Sequence, residues 1–492
     1  HQMNMLISNE FGQYFARLPL KKSAKIVHGD ALEVNWEEVV AKNQLSYIIG
    51  NPPFIGSNIM SQFQRNQIVK EFENIQGSGV LDYVTGWYLK AAKYIQNTKI
   101  KAAFVSTNSI VQGEQTSILW GQMINKYGVK IHFAHRTFKW SNEAKGNAAV
   151  HCVIIGFGSF NITNKILFDY EDIQGESLVV QSNNINPYLV DGSDIIINNR
   201  SFPLSNVPLM RFGSMPRDGG NFIFTEPEKE EFLKLEPKAE KWIRPYTGAQ
   251  EFINGYSRYC LWLLDISPRE LKTLPEVIKK VDKVKNFRLK SKAASTRKFA
   301  ATPTLFCQIA QPETNYLLVP RVSSERRKYI PIGFMNKNVI GNDQVLLIPN
   351  ANLYLFGILT SEMHMAWVKY VCGRLKSDYR YSNTIVYNNY PFPENITDKQ
   401  KQTVETCAQA VLDTRVKYPD SSLADLYDPL TMPPDLIKAH QKLDKAVDLC
   451  YRPQPFTSEL NRIEYLFELY EKLTAPLLPT SKQKPAKRKN PQ

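Results

Sequence analysis

The 492-residue chain has only six cysteines, Cys152, Cys260, Cys307, Cys372, Cys407 and Cys450, and no two form a C-x-x-C pair. Such scatter excludes a disulfide framework and the usual zinc-ligand spacings. The seven histidines show no H-E-x-x-H or comparable pattern, so His28, His135 and His151 read as packed or surface groups, and no metal is expected. No apolar run approaches the length of a membrane span and no signal peptide is visible. The expected compartment is therefore a reducing cytoplasm of bacterial type, with no membrane partner. No glycine-rich turn of the Asp-x-x-x-Gly-x-Gly kind precedes Asp30.

Acid is also in short supply. Lys and Arg number 61 against 47 Asp and Glu, giving a net charge of +14, and the pI is near 9.2. A polyanionic partner is favoured, although an excess of lysine also serves solubility. Clustering tilts the choice: Glu251 to Ala300 holds 12 basic and 5 acidic residues, half of the chain's excess. A helix over Pro275 to Lys292 would present Lys280 and Arg288, with Arg297 beyond it, to a phosphate backbone and bury Ile278, Val281, Val284 and Leu289. Further basic groups, Arg321, Arg326 and Arg327, then Arg374, Lys376 and Arg380, are interleaved with Tyr379 and Tyr381. Such mixtures suit double-stranded DNA; a salt-bridged interdomain surface would look similar. Side chains able to read base edges in this region are Arg321, Arg326, Arg327, Asn336, Asn338 and Gln344.

The stretch richest in chemistry is Asn51-Pro52-Pro53-Phe54, directly after the apolar run Leu45 to Gly50. A buried strand ending in an amide, two prolines and an aromatic ring makes a rigid, polar, stackable corner. The Asn51 oxygen and the Pro52 carbonyl can accept hydrogens from an exocyclic amine while Phe54 stacks on its ring. An amine conjugated to a purine is a poor nucleophile, and two acceptors that hold its nitrogen nearer to tetrahedral free the lone pair. A base inside a duplex must first be rotated out into such a pocket. The plain alternative is a strand-ending turn, because proline cannot continue a ladder. The tetrad resembles motif IV of the amino-methyltransferases that use S-adenosylmethionine, and Asn first with Phe fourth resembles the adenine-N6 subset. Ser or Asp at position 51 would have favoured cytosine-N4 chemistry.

Strand and helix patterns alternate around this corner, as a doubly wound sheet requires. Strands are expected at Ala24 to Asp30, Lys101 to Asn108, Lys130 to His135 and Ala148 to Phe157, with helices over Asp82 to Ile95 and Thr116 to Tyr127. Laid against the methyltransferase order, these four and the run Leu45 to Gly50 are the third to seventh strands. Asp30, with Ala31 beside it, then stands where the family's acid meets the adenine amine of its cofactor; locally, Asp30 also fits a helix cap. Residues His1 to Arg17 read as a helix after the second strand. The chain is thus expected to begin inside the catalytic domain, with an unprotected sheet edge and a weakened cofactor site.

A closer resemblance rests on His135 to His151 (HRTFKWSNEAKGNAAVH), Ser106 to Gln115 (STNSIVQGEQ), Val322 to Arg327 and Gly373 to Ser382 (GRLKSDYRYS). These segments resemble the MmeI-type restriction-modification enzymes from near residue 1 to about residue 475. The resemblance implies an adenine-N6 DNA methyltransferase fused to a target recognition domain and a helical carboxyl-terminal region, often behind a nuclease domain. No nuclease signature precedes Asp30, and cleavage is not expected. It also implies that Phe138 and Trp140 contact the flipped base, although either ring equally fits core packing.

The expected fold is α/β: a partial Rossmann-like methyltransferase sheet over 1–165, an α+β recognition domain over 166–395, a helical domain over 396–478 and a basic disordered tail over 479–492. The recognition domain should include helices Pro227 to Leu235 and Glu362 to Arg374 and strands Tyr316 to Pro320, Tyr329 to Phe334 and Val345 to Ile348. Helices at Gln400 to Val416, Pro434 to Asp448 and Thr457 to Lys472 follow. Two other readings remain open, a DNA-recognition module without catalysis and a cytosine-N4 or RNA methyltransferase.

Overall fold

The run Tyr47–Gly50 forms β1 and Lys101–Thr107 forms β2, paired in parallel with Gly50 opposite Phe104. A computed structural model describes them within residues 10, 24–140, 150–170 and 172–475. Apart from Glu10, the expected helix His1 to Arg17 lies outside the described residues, as do Ser141 to Ala149 of the resembling segment and the basic tail.

Alternation along β2 decides where the helices go. Ala102, Phe104 and Ser106 are buried on one face. Against that face pack α1 (Gln62–Glu71), α2 (Thr85–Tyr94) and α3 (Gly113–Trp120), through Ile68, Tyr88, Leu89 and Trp120. Tyr88 stacks on Phe157 with ring centroids 5.7 Å apart and donates to Ser106 or accepts from it at 3.0 Å, so the aromatic body is buried and its hydroxyl satisfied. Ser61 starts α1 with a capping box to Gln64. Helix α3 continues into a wider π-helical turn, Gly121–Lys126.

The sheet continues with β3 (Lys130–Trp140), β4 (Val150–Gly158), β5 (Lys165–Asp169) and β6 (Leu178–Ser182), in the order β1-β2-β4-β3-β5-β6. β4 runs antiparallel to β2 and β3, between them. Phe133 lies across Gly156, where an added Cβ would meet its ring at 2.0 Å, so glycine is needed for that cross-strand contact.

Two expectations about this region are corrected. Ala24 to Asp30 is not a strand; it pairs with no strand among the described residues, and Ile26 is 87% exposed. Nor is β1 buried on both faces. Among the described residues it pairs with β2 alone, so it is an edge, and Tyr47 and Ile49 face a depression of about 570 Å³ on the sheet's open side with Ala103, Phe133 and Phe168.

Beyond residue 205 the strands are short: β7 (Arg211–Phe212), β8 (Ile223–Phe224), β9 (Ile243–Thr247), β10 (Arg258–Leu261), β11 (Tyr316–Pro320), β12 (Val322–Ser323), β13 (Gly333–Met335), β14 (Ile340–Gly341), β15 (Val345–Pro349), β16 (Gly373–Leu375) and β17 (Asp378–Arg380). They build three small sheets, β14-β9-β10-β8, β13-β11-β15-β7 and β12-β17-β16. Helices α4 (Glu226–Leu235), α5 (Ala249–Asn254) and α6 (Pro275–Leu289) accompany the first. The expected strand from Tyr329 is confined to β13; Tyr329 and Ile330 are buried side chains of a non-strand segment. After α7 (Leu353–Leu359), helix α8 (Glu362–Val371) stops short of Arg374, which belongs to β16.

Helices α9 (Asp398–Val416), α10 (Pro434–Tyr451) and α11 (Glu459–Thr474) close the chain. Their apolar faces share one core with β11, β15, α7 and α8. Buried in that core, Asp444 of α10 accepts from the Tyr329 hydroxyl at 2.7 Å and from the Glu362 amide, the first of α8, at 2.8 Å. Burial, with Glu362 adding to it, pushes its carboxyl up to about 7.

Candidate active site and nucleic-acid interface

Asn51 leaves the carboxyl end of β1, exposed, and its side chain engages no partner among the described residues. The Pro52 carbonyl is equally unengaged there, whereas the Pro53 carbonyl is taken by Ile55 N at 3.0 Å. Asn51 Oδ1 and Pro52 O are thus two adjacent acceptors that no described residue engages, the first on an exposed residue and the second on a buried one. Phe54 is half-buried and stacks on no ring among the described residues.

Tyr83 joins this corner to Asp30. Its backbone amide donates to Ile55 O at 2.9 Å, and its hydroxyl donates to Gln67 Oε1 at 2.6 Å. Gln67 Nε2 in turn donates to Asp30 Oδ2 at 2.9 Å, and Leu32 N donates to Asp30 Oδ1 at 2.9 Å. Burial first, then the charges of Asp30 and Glu33, raise the Tyr83 hydroxyl above its ordinary value and keep it a donor. An ionised carboxylate offers about four lone-pair sites, so Asp30 retains capacity for an outside donor. The Ala31 carbonyl has less to offer, since it accepts from Trp36 Nε1 at 2.8 Å and Lys90 Nζ at 3.0 Å.

Phe138 and Trp140 lie at the far end of β3, past an irregularity between His135 and Phe138 that re-aims the strand. Phe138 stacks on Tyr170 with centroids 5.5 Å apart and sits 6.1 Å from Trp140, which is 41% exposed. Neither ring is core. Between them and the corner, Asn108 Nδ2 reaches Thr137 Oγ1 at 3.4 Å.

Apart from Lys376, the predicted basic residues fall into three environments. Arg321, Arg327 and Arg380, with Gln344, line a groove of about 610 Å³ that also includes Gln250 of α5 and Asn58 from the loop after β1. Buried and without partners among the described residues, Arg321 Nε, Arg327 Nε and Ser323 Oγ lie on residues of this groove. Burial draws both guanidinium groups below their ordinary values. Arg326 and Arg374 line a second cavity, of about 440 Å³, with Asn108, Gln112 and Arg136. There Arg374 lies over Tyr379 at 4.0 Å and donates to Lys369 O at 3.0 Å. Lys376 is exposed in the tight turn between β16 and β17, at φ 57°. Asn336 and Asn338 close a separate turn, Asn338 N donating to Asn336 Oδ1 at 2.9 Å.

The third environment is α6, where one expectation fails. The buried stripe is Val277, Val281, Val284 and Arg288, at spacings of four, three and four, while Leu289 is 52% exposed. Arg288 is wholly buried. Its Nε donates to Arg217 O at 3.1 Å, its Nη1 to Phe299 O and Thr302 O at 3.0 and 3.1 Å, and its Nη2 to Pro216 O and Leu305 O at 2.8 and 2.7 Å. All five donors of a guanidinium are spent on backbone, so Arg288 holds loops together and does not meet DNA. Lys280 is half-buried over Phe224 and Phe232, at 4.6 and 5.8 Å, and Arg297 donates to Ser291 O and Lys292 O, each at 2.8 Å.

Sequence reasoning did not find Gln67, Tyr83 or Asn58. Nothing in their local pattern marks them; the packing of α1 and of the turn before α2 brings Gln67 and Tyr83 to the corner, and Asn58, in the corner's own loop, is marked only by the docking of the groove on it. Among the described residues no cluster of three metal-binding side chains occurs, and no helix is long and apolar enough to cross a membrane.

The chain matches three family models in succession: the MmeI DNA-methyltransferase domain over residues 1–169, the MmeI target recognition domain over 191–394 and the MmeI C-terminal domain over 396–478. It is 41% identical over 479 residues to DNA methyltransferase A of Bacillus subtilis (strain 168), a match spanning 96% of this chain and 53% of that protein. A solved structure of the type IIL restriction-modification enzyme MmeI in complex with DNA superposes with a TM-score of 0.86 and 50% sequence identity, covering 96% of this chain and 63% of the other. The chain thus spans about half the length of its curated relative.

Proposed function

Since the chain belongs to the MmeI family, with the methyltransferase, target recognition and C-terminal domains in that order, we propose that it is a sequence-specific DNA adenine-N6 methyltransferase of a restriction-modification system. The observation that carries this reading is the pair of acceptors, Asn51 Oδ1 and Pro52 O, unengaged among the described residues, at the end of a parallel strand and separated from Phe54 by Pro53 alone.

Asn51 and Pro52 accept the two amine hydrogens of a flipped adenine and hold its nitrogen closer to tetrahedral, an effect strongest in the transition state. Phe54 covers one face of the base, Pro53 stiffens the corner, and Phe138 and Trp140 supply a second aromatic contact. S-adenosylmethionine, when bound, supplies the electrophilic methyl group. Asp30, beside Ala31, keeps lone-pair capacity for the adenine amine of that donor.

Double-stranded DNA is read in the groove by Arg321, Arg327, Gln344 and Arg380, whose donors suit base edges or phosphates. The exposed charges of Lys376 and Arg326 suit phosphate contact, with Arg374, Lys280 and Arg297 supporting it through their partly engaged cations. The assignment keeps 1–165 as catalytic, 166–395 as recognition and 396–478 as helical support.

Incubation of the chain with methyl-labelled S-adenosylmethionine and unmethylated plasmid DNA, and in parallel with RNA, tests this, with mass spectrometry of the digested nucleosides. N6-methyladenine at a recurring sequence is expected. N4-methylcytosine, or label entering RNA instead, would overturn the reaction assigned; duplex binding without any transfer would make the chain a recognition module.

A further inference from the structure

The groove and the catalytic corner share one short segment of chain. Asn51 to Phe54 form the corner, and Asn58, four residues after Phe54, lines the groove with Arg321, Arg327 and Arg380. Such a loop carries geometry from one site to the other only if it is stiff between them.

The fastenings of that segment converge on one carboxylate. Ser57 N donates to Asp82 Oδ1 at 2.8 Å, and Ser109 Oγ donates to Asp82 Oδ2 at 2.6 Å. Ser109 follows β2, so the two oxygens of Asp82 bridge the loops leaving two adjacent parallel strands. Asp82 is itself fixed, its amide donating to Gln115 Oε1 at 2.8 Å and its carbonyl accepting from Thr85 Oγ1 at 2.7 Å. Arg65 adds a second brace, with Nη2 donating to Ser57 O at 2.6 Å and Nη1 to Gly79 O at 2.8 Å.

We propose that Asp82 is a positioning residue. By clamping Ser57 to Ser109 it fixes Asn51 and Phe54 relative to Asn58, so that duplex seated in the groove presents its flipped adenine in register with the corner. This rests on the reaction proposed above. Asp82 touches neither base nor donor; its role is the pair of hydrogen bonds, not its charge. Asn at 82 preserves both, its amide oxygen accepting from Ser57 N and its amide nitrogen donating to the Ser109 hydroxyl, whereas Ala removes both.

The experiment compares wild type, Asp82→Ala and Asp82→Asn by hydrogen exchange of the 51–60 segment and by methyl transfer to unmethylated plasmid DNA. In Asp82→Ala, exchange of 51–60 should accelerate while β2 and α2 stay protected. Its kcat should fall about 100-fold, the scale of a misplaced reacting group, with KM for DNA little changed. Asp82→Asn should recover most of both. Unchanged loop exchange, an unchanged kcat, or an Asn variant as impaired as Ala would each overturn the clamp, as would exchange rising equally through β2 and α2. If Asp82→Ala does not fold, Ser109→Ala removes one arm only and must show the same loop-specific exchange. A wild type silent in methyl transfer, with the exchange pattern as expected, would overturn the reaction and leave the clamp standing.

Discussion

The loop after β1 and helix α6 both carry polar side chains in positions that suit nucleic-acid chemistry, yet their hydrogen-bonding states are opposite. At Asn51 and Pro52 the acceptors have no partner among the described residues. At Arg288 all five donors end on backbone carbonyls in a wholly buried pocket. A group is available for function only when the fold has not already used it. Charge and residue type do not report that; the tally of donors and acceptors does.

The comparison breaks most sharply through stability. Arg288→Met should lower unfolding free energy by about 3 to 5 kcal/mol, because five buried carbonyls lose their donors together. Denaturant titration measures it, and duplex affinity measured well below the unfolding midpoint should stay near wild type. A large affinity loss in a stably folded Arg288→Met would instead return Arg288 to the DNA interface.

Asn51→Ala should show the reverse, with stability unchanged and kcat for methyl transfer reduced roughly 100- to 1000-fold, the size of a lost transition-state hydrogen bond. Equal kcat would end the assignment of Asn51 as an amine acceptor.

Asp444 sharpens the contrast, as a buried group whose hydrogen bonds are made but whose charge is poorly accommodated. Its folded carboxyl sits up at about 7, above the ordinary value of 3.8, so the native state holds a proton that the unfolded chain releases. The stability this group contributes should therefore be fully present below about pH 4 and be lost as pH rises toward 7, at no more than about 1.4 kcal/mol per pH unit. Asp444→Asn should flatten that part of the pH–stability curve. A slope equal to wild type in the Asn variant would mean that other groups set it.

Much of this was legible beforehand. The tetrad after an apolar run, the helices near 275–289, 398–416 and 434–451 and the strand at 316–320 all follow from local period and punctuation. Less legible were features set by distant partners. Ala24 to Asp30 has a strand's pattern but no strand beside it among the described residues. The Tyr329 segment is apolar because it is buried against α10, not because it is a strand. Arg288 occupies the position where a helical apolar stripe calls for a hydrophobe, and it is tolerated because loops at 216–217 and 299–305 fold over it. Gln67 and Asp82 meet the corner only through the packing of α1 and α2 on the sheet, and Asn58, in the corner's own loop, meets the groove only through the docking of the recognition residues on it.

By itself the sequence determined the chemistry on offer: an amide, a carbonyl and a ring in four consecutive residues, whose proximity is covalent. It also determined the excess of positive charge and the periodicity of the long helices, since these depend on neighbours a few residues away. The tertiary structure alone decided which of those groups remain free. Whether a donor or acceptor is already satisfied depends on partners as far apart as Asp30 and Gln67, or Arg217 and Arg288, and such partners are brought together only by folding.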